Sequence, residues 1–230
     1  MDWPSPESWT AVWLSLRVAG VATIASLPLG IAVAWLLARR QFPGHGLLNT
    51  IVHLPLVIPP VVTGYLLLVA FGRQGPLGQF LFDWFGVTLA FRWTGAALAG
   101  AIMAFPLMVR AIRLSVEAVD PKLEAAAATL GAGPLTVFAT VTLPLIVPGI
   151  LAGTVLGFAK ALGEFGATIT FVSNIPGETQ TLPSAIYTFL QVPGAEGDAL
   201  ALVLISVVIA VGALLASEWL ARRAARRMEA

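Results

Sequence analysis

Residues 117–148 read EAVDPKLEAAAATLGAGPLTVFATVTLPLIVP and predict a short polar element between apolar helices. Asp120 is a favourable helix N-cap, and Pro121 falls in the first turn, where its missing N–H costs no hydrogen bond. The alanine-rich residues 122–130 predict a helix, and Gly131 predicts where it ends. This stretch is too polar at one end to span a bilayer.

A second helix follows the glycine. Pro134 predicts its start, and Val137, Phe138 and Val141 lie on the way to Leu143. The stretch therefore predicts a helix–Gly–helix element that docks on another surface. An ordinary amphipathic linker between two membrane helices is the alternative interpretation.

The composition indicates an integral membrane protein. Of 230 residues, 58% are hydrophobic and only 11% are charged, whereas soluble proteins carry about 25% charge. Cysteine is absent, which excludes disulfides and thiolate chemistry. No Gly-x-x-x-x-Gly-Lys-Ser/Thr phosphate loop occurs, so the chain is not expected to be an ATPase. With only two histidines, a metal site is not expected either, and no nucleic-acid partner is expected.

A spanning helix needs about 20 mostly apolar residues, and five segments qualify. We therefore predict an all-α integral membrane fold within residues 11–220. The predicted spans are residues 11–38, 51–71, 93–109, 143–171 and 199–217.

The distribution of Lys and Arg predicts an N-outside, C-inside orientation. In that orientation residues 1–10 are an external segment, 117–144 a cytoplasmic loop and 221–230 a cytoplasmic basic tail. The predicted cytoplasmic basic residues are Arg39, Arg40, Arg110, Arg113, Lys122, Arg222, Arg223, Arg226 and Arg227. Only Arg73 and Arg92 would remain outside. Five spans place the loop and the C-terminus on the same side.

The loop resembles the "EAA" loop of ABC importer permeases, which inserts into a groove of a separate ATPase subunit. The family pattern is Glu-Ala-Ala, three residues, Gly, nine residues, then Ile-x-Leu-Pro. The matching residues here are Glu124, Ala125, Ala126, Ala127, Gly131, Val141, Leu143 and Pro144. Two positions depart from the pattern, because the acid of Glu124 stands one place early and Val141 replaces Ile.

A second stretch, GEFGATITFVSNIPGETQTLPSAIY at residues 163–187, resembles the segment that follows the loop in molybdate permeases. The resemblance covers residues 11–220 and implies the type I ABC importer fold. It also implies a bacterial cytoplasmic membrane location, two copies of the chain, and two ATPase subunits that bind ATP and Mg. A periplasmic or extracellular binding protein would deliver molybdate, and this chain would need no cofactor. Sulfate or tungstate is the alternative substrate.

Lys160 and Glu164 are ionisable residues within the predicted fourth span, one helical turn apart. Such residues usually face a bundle interior or a water-filled cavity. One interpretation places them, with Gly163 and Thr168, on the translocation pathway. The alternative is an intrahelical ion pair that keeps both charges away from lipid.

Prolines interrupt the second span, and Pro55, Pro59 and Pro60 predict a kink around residues 58–60. The kink would serve gating or only packing. Near the outer face, residues 76–92 and 181–191 predict short interfacial segments, with flexible loops as the alternative. A channel or an ion-coupled secondary transporter is the rival function. Such transporters often contain two related halves, which this sequence lacks.

Overall fold

The structure is a computed structural model that describes the backbone of residues 5–228 and the side chains of residues 5–216, 218 and 219. All regular elements in these residues are helical. In chain order they are α1 (Pro6–Arg39), α2 (His45–Val57), α3 (Pro60–Phe71), α4 (Pro76–Phe85), α5 (Trp93–Ala118), α6 (Pro121–Thr129), α7 (Pro134–Val137), a π-turn (Phe138–Thr142), α8 (Leu143–Leu162), α9 (Gly166–Val172), α10 (Leu182–Phe189) and α11 (Glu196–Met228).

Helix α5 is the centre of the bundle. In its most apolar stretch 61% of the residues are buried, against 17% in the segments Pro134–Leu162 and Glu196–Ala216. Helices α1 and α8 pack against it, and glycines allow α8 to approach closely. A Cβ at Gly153 would lie 3.0 Å from Ile112 Cγ1, and one at Gly157 would lie 2.8 Å from Met108 Cε.

Four segments of the described chain are long and apolar enough to cross a membrane, and a fifth qualifies if α2 and α3 count as one span. These two helices meet at residues 58–59 with a bend of 114°. The sequence-based prediction of an interruption at residues 58–60 is therefore confirmed. The reason is that Pro60 has no N–H to continue α2 and instead starts α3.

The predicted fourth span, residues 143–171, is not one continuous helix. Helix α8 ends at Leu162, and Gly166–Val172 forms a separate helix. The Glu164 carboxylate accepts a hydrogen bond from the Ala167 N–H at 3.0 Å, so it caps a new helix instead of continuing the old one. At its N-terminal end, the helical segment already begins at Pro134 and passes through the π-turn into α8.

The remaining predicted spans lie within longer helices. Helix α1 contains residues 11–38, α5 extends the third span to Ala118, and α11 extends the fifth in both directions. The predicted basic tail continues α11 as far as Met228. The side chains of Arg222, Arg223, Arg226 and Arg227 and the last two residues lie outside the described part of the chain.

Two short helices occupy the segments that were predicted to be interfacial. In α4, the exposed rings of Phe80 and Trp84 lie 6.1 Å apart between centroids. Helix α10 packs on α1, where its Leu182 N–H donates to Ser15 Oγ at 2.6 Å. Thr181 occupies the N-cap position of α10, but its side chain makes no cap hydrogen bond.

Candidate coupling surface and transport site

Helix α6 forms for the local reasons that its sequence indicates. Asp120 Oδ1 accepts a hydrogen bond from the Lys122 N–H at 2.9 Å, which caps the helix. At the other end Gly131 has φ +89°, a conformation that side chains with a Cβ rarely adopt. The Gly131 N–H donates to Ala128 O at 3.0 Å and the Ala132 N–H to Ala127 O at 3.2 Å. These two bonds form a Schellman motif that ends the helix.

The loop around α6 presents apolar side chains to its surroundings. None of the nine residues of α6, all of them described, is buried. Leu123 is 50% exposed, Leu130 90% and Leu135 84%. These side chains lie on α6, at its C-cap and on α7, and contiguous exposed apolar surface often marks a site of interaction with a protein or a membrane. Ala125 and Ala126 are exposed beside them, and Ala127 is half-buried.

Glu124, the acidic residue of the loop motif, contacts other helical elements of the same chain. Glu124 Oε2 lies 3.3 Å from Arg39 Nε at the end of α1, and Oε1 accepts a hydrogen bond from Thr142 Oγ1 at 2.6 Å. Sequence reasoning used Arg39 only for topology and did not single out Thr142. Arg39 and Glu124 are 85 positions apart, so no local pattern indicates the pair.

The end of the loop motif forms the entry to α8. Val141 lies in the π-turn, Leu143 is the first residue of α8, and Pro144 falls in its first turn, where proline is tolerated. A π-turn within a helical segment is rare and often marks a functional position. The two parts of the loop motif thus lie on two elements that the Glu124–Thr142 hydrogen bond connects.

Lys160 and Glu164 form the second site. Lys160 Nζ lies 2.7 Å from Glu164 Oε2, and Glu164 is 3% exposed while the Lys160 side chain is 30% exposed. The ion pair therefore has the spacing that the sequence indicated. It connects α8 to the interruption after Leu162, because Glu164 also caps α9. Of the other predicted residues, Gly163 is the C-cap of α8 and Thr168 is buried in α9.

The interruption between α8 and α9 lies against the interruption between α2 and α3. A Cβ at Gly166 would be 2.8 Å from Pro60 Cβ. A Cβ at Gly64 would overlap Ala167 O and would lie 2.9 Å from both Ala167 Cα and Thr170 Cβ. Helices α3 and α9 therefore touch through their backbones. Helix interruptions at membrane depth often surround transport sites.

The loop after α9 is held in an unusual conformation. Ser173 has φ +67°, which is rare for a residue with a side chain. The buried Thr179 fixes the turn, because its Oγ1 accepts from the Ile175 N–H at 2.9 Å. Asn174 Nδ2 donates to Thr188 Oγ1 on α10 at 2.7 Å. Sequence reasoning marked this stretch by resemblance but assigned it no geometry.

The site residues do not form a metal centre. Among the described residues, no three His, Cys, Asp or Glu side chains come together in a group that holds a metal ion.

The sequence matches the family model described as "Binding-protein-dependent transport system inner membrane component" over residues 26–229. It is 64% identical over 217 residues to the molybdenum transport system permease protein ModB of Escherichia coli K12, with 94% of each chain covered. It is 58% identical over 219 residues to the protein of the same name from Haemophilus influenzae, covering 95% of this chain and 96% of the relative.

The fold is similar to that of a solved bacterial ABC transporter involved in the import of the acidic polysaccharide alginate. The TM-score is 0.75 at 20% sequence identity, covering 96% of this chain and 81% of the other. At 20% identity this similarity shows the fold alone. The family is shown by the sequence comparisons, which cover nearly the whole chain. The chain therefore belongs to the family of binding-protein-dependent transport system inner membrane components.

Proposed function

We propose that this chain is the membrane-spanning permease subunit of an ABC importer that carries molybdate across the bacterial cytoplasmic membrane. The observation that carries the proposal is the 64% identity with a molybdenum permease over 94% of both chains. The energy comes from ATP hydrolysis in a separate subunit, which binds ATP and Mg. Two copies of this chain form the transport unit, and an external binding protein delivers the anion.

The proposed topology counts α2 and α3 together as one bent span. Three of the five spans lie between residues 1–10 and α6, which puts these two on opposite sides of the membrane. The positions of Lys and Arg favour residues 1–10 outside and α6 in the cytoplasm. The ATPase subunit docks on α6 and the start of α7. The exposed side chains of Leu130 and Leu135 fit that role, since apolar side chains gain stability when a partner removes them from water.

The proposed pathway passes the place where the two helix interruptions meet. Lys160 supplies a positive charge to attract an oxyanion, and Glu164 fixes its ammonium group and limits its attraction. Gly163 and Thr168 belong to the same interruption. An ionisable pair at this depth is costly unless it faces protein or water, which favours a position towards the pathway.

Transport follows from displacement of α6. When the ATPase subunits close on ATP, they move α6, and the motion reaches the helical segment Pro134–Leu162. That segment carries Lys160 near its outer end, so the pathway changes between outward-open and inward-open states. The discrimination between molybdate, tungstate and sulfate rests mainly with the binding protein.

The test is uptake in proteoliposomes that contain the permease with or without its ATPase subunit. We expect molybdate uptake only when the ATPase subunit, the binding protein and ATP are all present. Tungstate and sulfate added in excess measure the preference among tetrahedral dianions. Full uptake without the ATPase subunit would favour an ion-coupled secondary transporter or a channel.

A further inference from the structure

We propose that Glu124 connects helix α6 to two membrane spans, and that this connection is required for ATP hydrolysis to drive transport. The inference rests on the proposed function, because it assigns a positioning role within the coupling loop. The loop motif leaves Glu124 without a defined role, since this acid stands one place before the motif position.

Apolar packing contributes little to the position of α6. None of its nine described residues is buried. A cavity of about 660 Å³ extends between α6, the inner end of α1 and the π-turn, and Trp35 and Phe138 are among its lining residues. A helix beside such a cavity lacks the close-packed contacts that fix most helices to a core. Its position therefore depends on its chain connections and on polar contacts.

One carboxylate supplies contacts to both neighbouring spans. Glu124 Oε2 faces Arg39 Nε at 3.3 Å, and Oε1 accepts from Thr142 Oγ1 at 2.6 Å and from Arg39 Nη2 at 3.4 Å. The same Arg39 Nη2 donates to Val119 O, just before α6, at 2.9 Å. Arg39 is the last residue of α1, and Thr142 is the last residue of the π-turn that leads into α8.

These contacts are partly shielded from water. The side chains of Arg39 and Glu124 are 15% and 21% exposed, and Thr142 is 1% exposed. Exposed ion pairs contribute little because water and salt screen them, whereas hydrogen bonds to a charged group in a shielded site are stronger. The guanidinium of Arg39 contacts two acceptors at once, a geometry that a lysine does not reproduce.

The functional consequence is that these contacts determine which helices move when the ATPase subunit displaces α6. With the contacts intact, displacement of Glu124 moves the inner ends of α1 and α8 together. Without them, α6 is joined to the spans only by short backbone connections, including the left-handed Gly131. The ATPase subunit would then dock and hydrolyse ATP while the spans follow its motion poorly.

The experiment compares Glu124→Gln, Thr142→Val and the control Glu117→Gln. The control also removes a carboxylate charge near the inner end of α5, but its ion pair with Arg113 lies within that helix. Each variant is purified with the ATPase subunit and reconstituted with a binding protein. ATP hydrolysis and molybdate uptake are then measured in the same vesicles.

We expect Glu124→Gln to lower the uptake per ATP hydrolysed by about tenfold, the factor that corresponds to the loss of a hydrogen bond to a charged group. Thr142→Val keeps the contact between Glu124 and Arg39 and should lower the ratio less. Glu117→Gln should keep the wild-type ratio. Cross-linking Glu124→Cys to Thr142→Cys with a short bifunctional thiol reagent should restore the ratio. The chain has no cysteine of its own that would interfere.

Four results have distinct meanings. A wild-type ratio in both Glu124→Gln and Thr142→Val overturns the inference. Loss of the ATPase subunit during purification of Glu124→Gln also overturns it, because Glu124 would then be a docking residue. Should Glu124→Gln fail to insert, the milder Thr142→Val decides by the same ratio. A wild-type protein without ATP-dependent molybdate uptake would instead contradict the proposed function.

Discussion

The close crossing of α3 and α9 predicts that two Gly→Ala substitutions, at Gly64 and at Gly20, differ in their effect on stability. At Gly64 a Cβ would overlap Ala167 O and lie 2.9 Å from Ala167 Cα and from Thr170 Cβ. Two of these three atoms belong to the backbone, so the helices must separate. At Gly20 in α1 a Cβ would meet nothing within 4 Å. Both positions are helical, so the intrinsic helix preference changes equally in the two variants.

The change in stability follows from two opposing contributions, the helix preference of alanine and the overlap of its methyl group with neighbouring atoms. Replacing Gly by Ala within a helix stabilises it by up to about 1 kcal/mol. Forcing a methyl group into a filled space costs about 1–3 kcal/mol. Gly20→Ala should therefore be neutral or stabilising. Gly64→Ala should be less stable than this control by about 1–3 kcal/mol, the cost of the overlap.

The assay is thermal unfolding of the detergent-solubilised permease–ATPase complex, followed by molybdate uptake in vesicles. For a chain of this size we expect Gly64→Ala to melt at least roughly 2–4 °C below Gly20→Ala. Uptake by Gly64→Ala should also fall, because α9 packs on α3 and begins directly after the interruption that contains Glu164. Equal melting temperatures and equal uptake in the two variants would refute the close helix crossing.

Three further substitutions test the coupling loop and the pathway. Gly131→Val forces a β-branched residue to φ +89°, at a cost of about 1–3 kcal/mol. This variant should hydrolyse more ATP per molybdate imported. The control is Gly133→Ala, at an open position with φ −68°, which should retain wild-type coupling. Lys160→Met should lower the maximal uptake rate without loss of the ATPase subunit. Unchanged uptake would mean that the ion pair between Lys160 and Glu164 has only a structural role. Leu130→Ser should weaken the binding of the ATPase subunit in a pull-down assay, because it removes a 90% exposed apolar side chain, and full binding would contradict docking at this end of α6.

Helix α6 was predictable because the signals that start and end it are local. The cap at Asp120, the proline at the first helical position and the glycine at Gly131 act on neighbouring backbone groups. The sequence therefore placed α6 within one residue at each end. The interruption at residues 58–60 was predictable for the same reason, since proline removes a backbone donor. Its angle of 114° was not, because α3 is positioned by its packing on α9.

The end of α8 was not predictable from apolar periodicity. Residues 163–171 are apolar enough to continue a span, and only Glu164 indicates otherwise. The spacing of Lys160 and Glu164 suggested an intrahelical ion pair as one of two interpretations, and the two side chains do pair, but Glu164 lies beyond the end of α8. The spacing did not indicate that the second carboxylate oxygen caps α9. Likewise, the contacts of Glu124 with Arg39 and Thr142 join segments that are distant in the sequence, so only the folded chain brings them together.

Glu124 and Glu164 make their contacts at opposite ends of α8. Thr142, the partner of Glu124, and Lys160, the partner of Glu164, both lie within Pro134–Leu162. At about 1.5 Å per residue, the 18 positions between them span about 27 Å, close to the thickness of the hydrocarbon core. Under the proposed function, a stiff helix of that length would carry a displacement of its N-terminal end to its C-terminal end. The interruptions at residues 58–59 and 163–165 would then let α3 and α9 change position together while α8 itself stays intact. Each glutamate thus contacts one end of α8 and a neighbouring element. Glu124 binds Thr142, directly before α8, and Arg39 of α1, whereas Glu164 binds Lys160 of α8 and the first turn of α9.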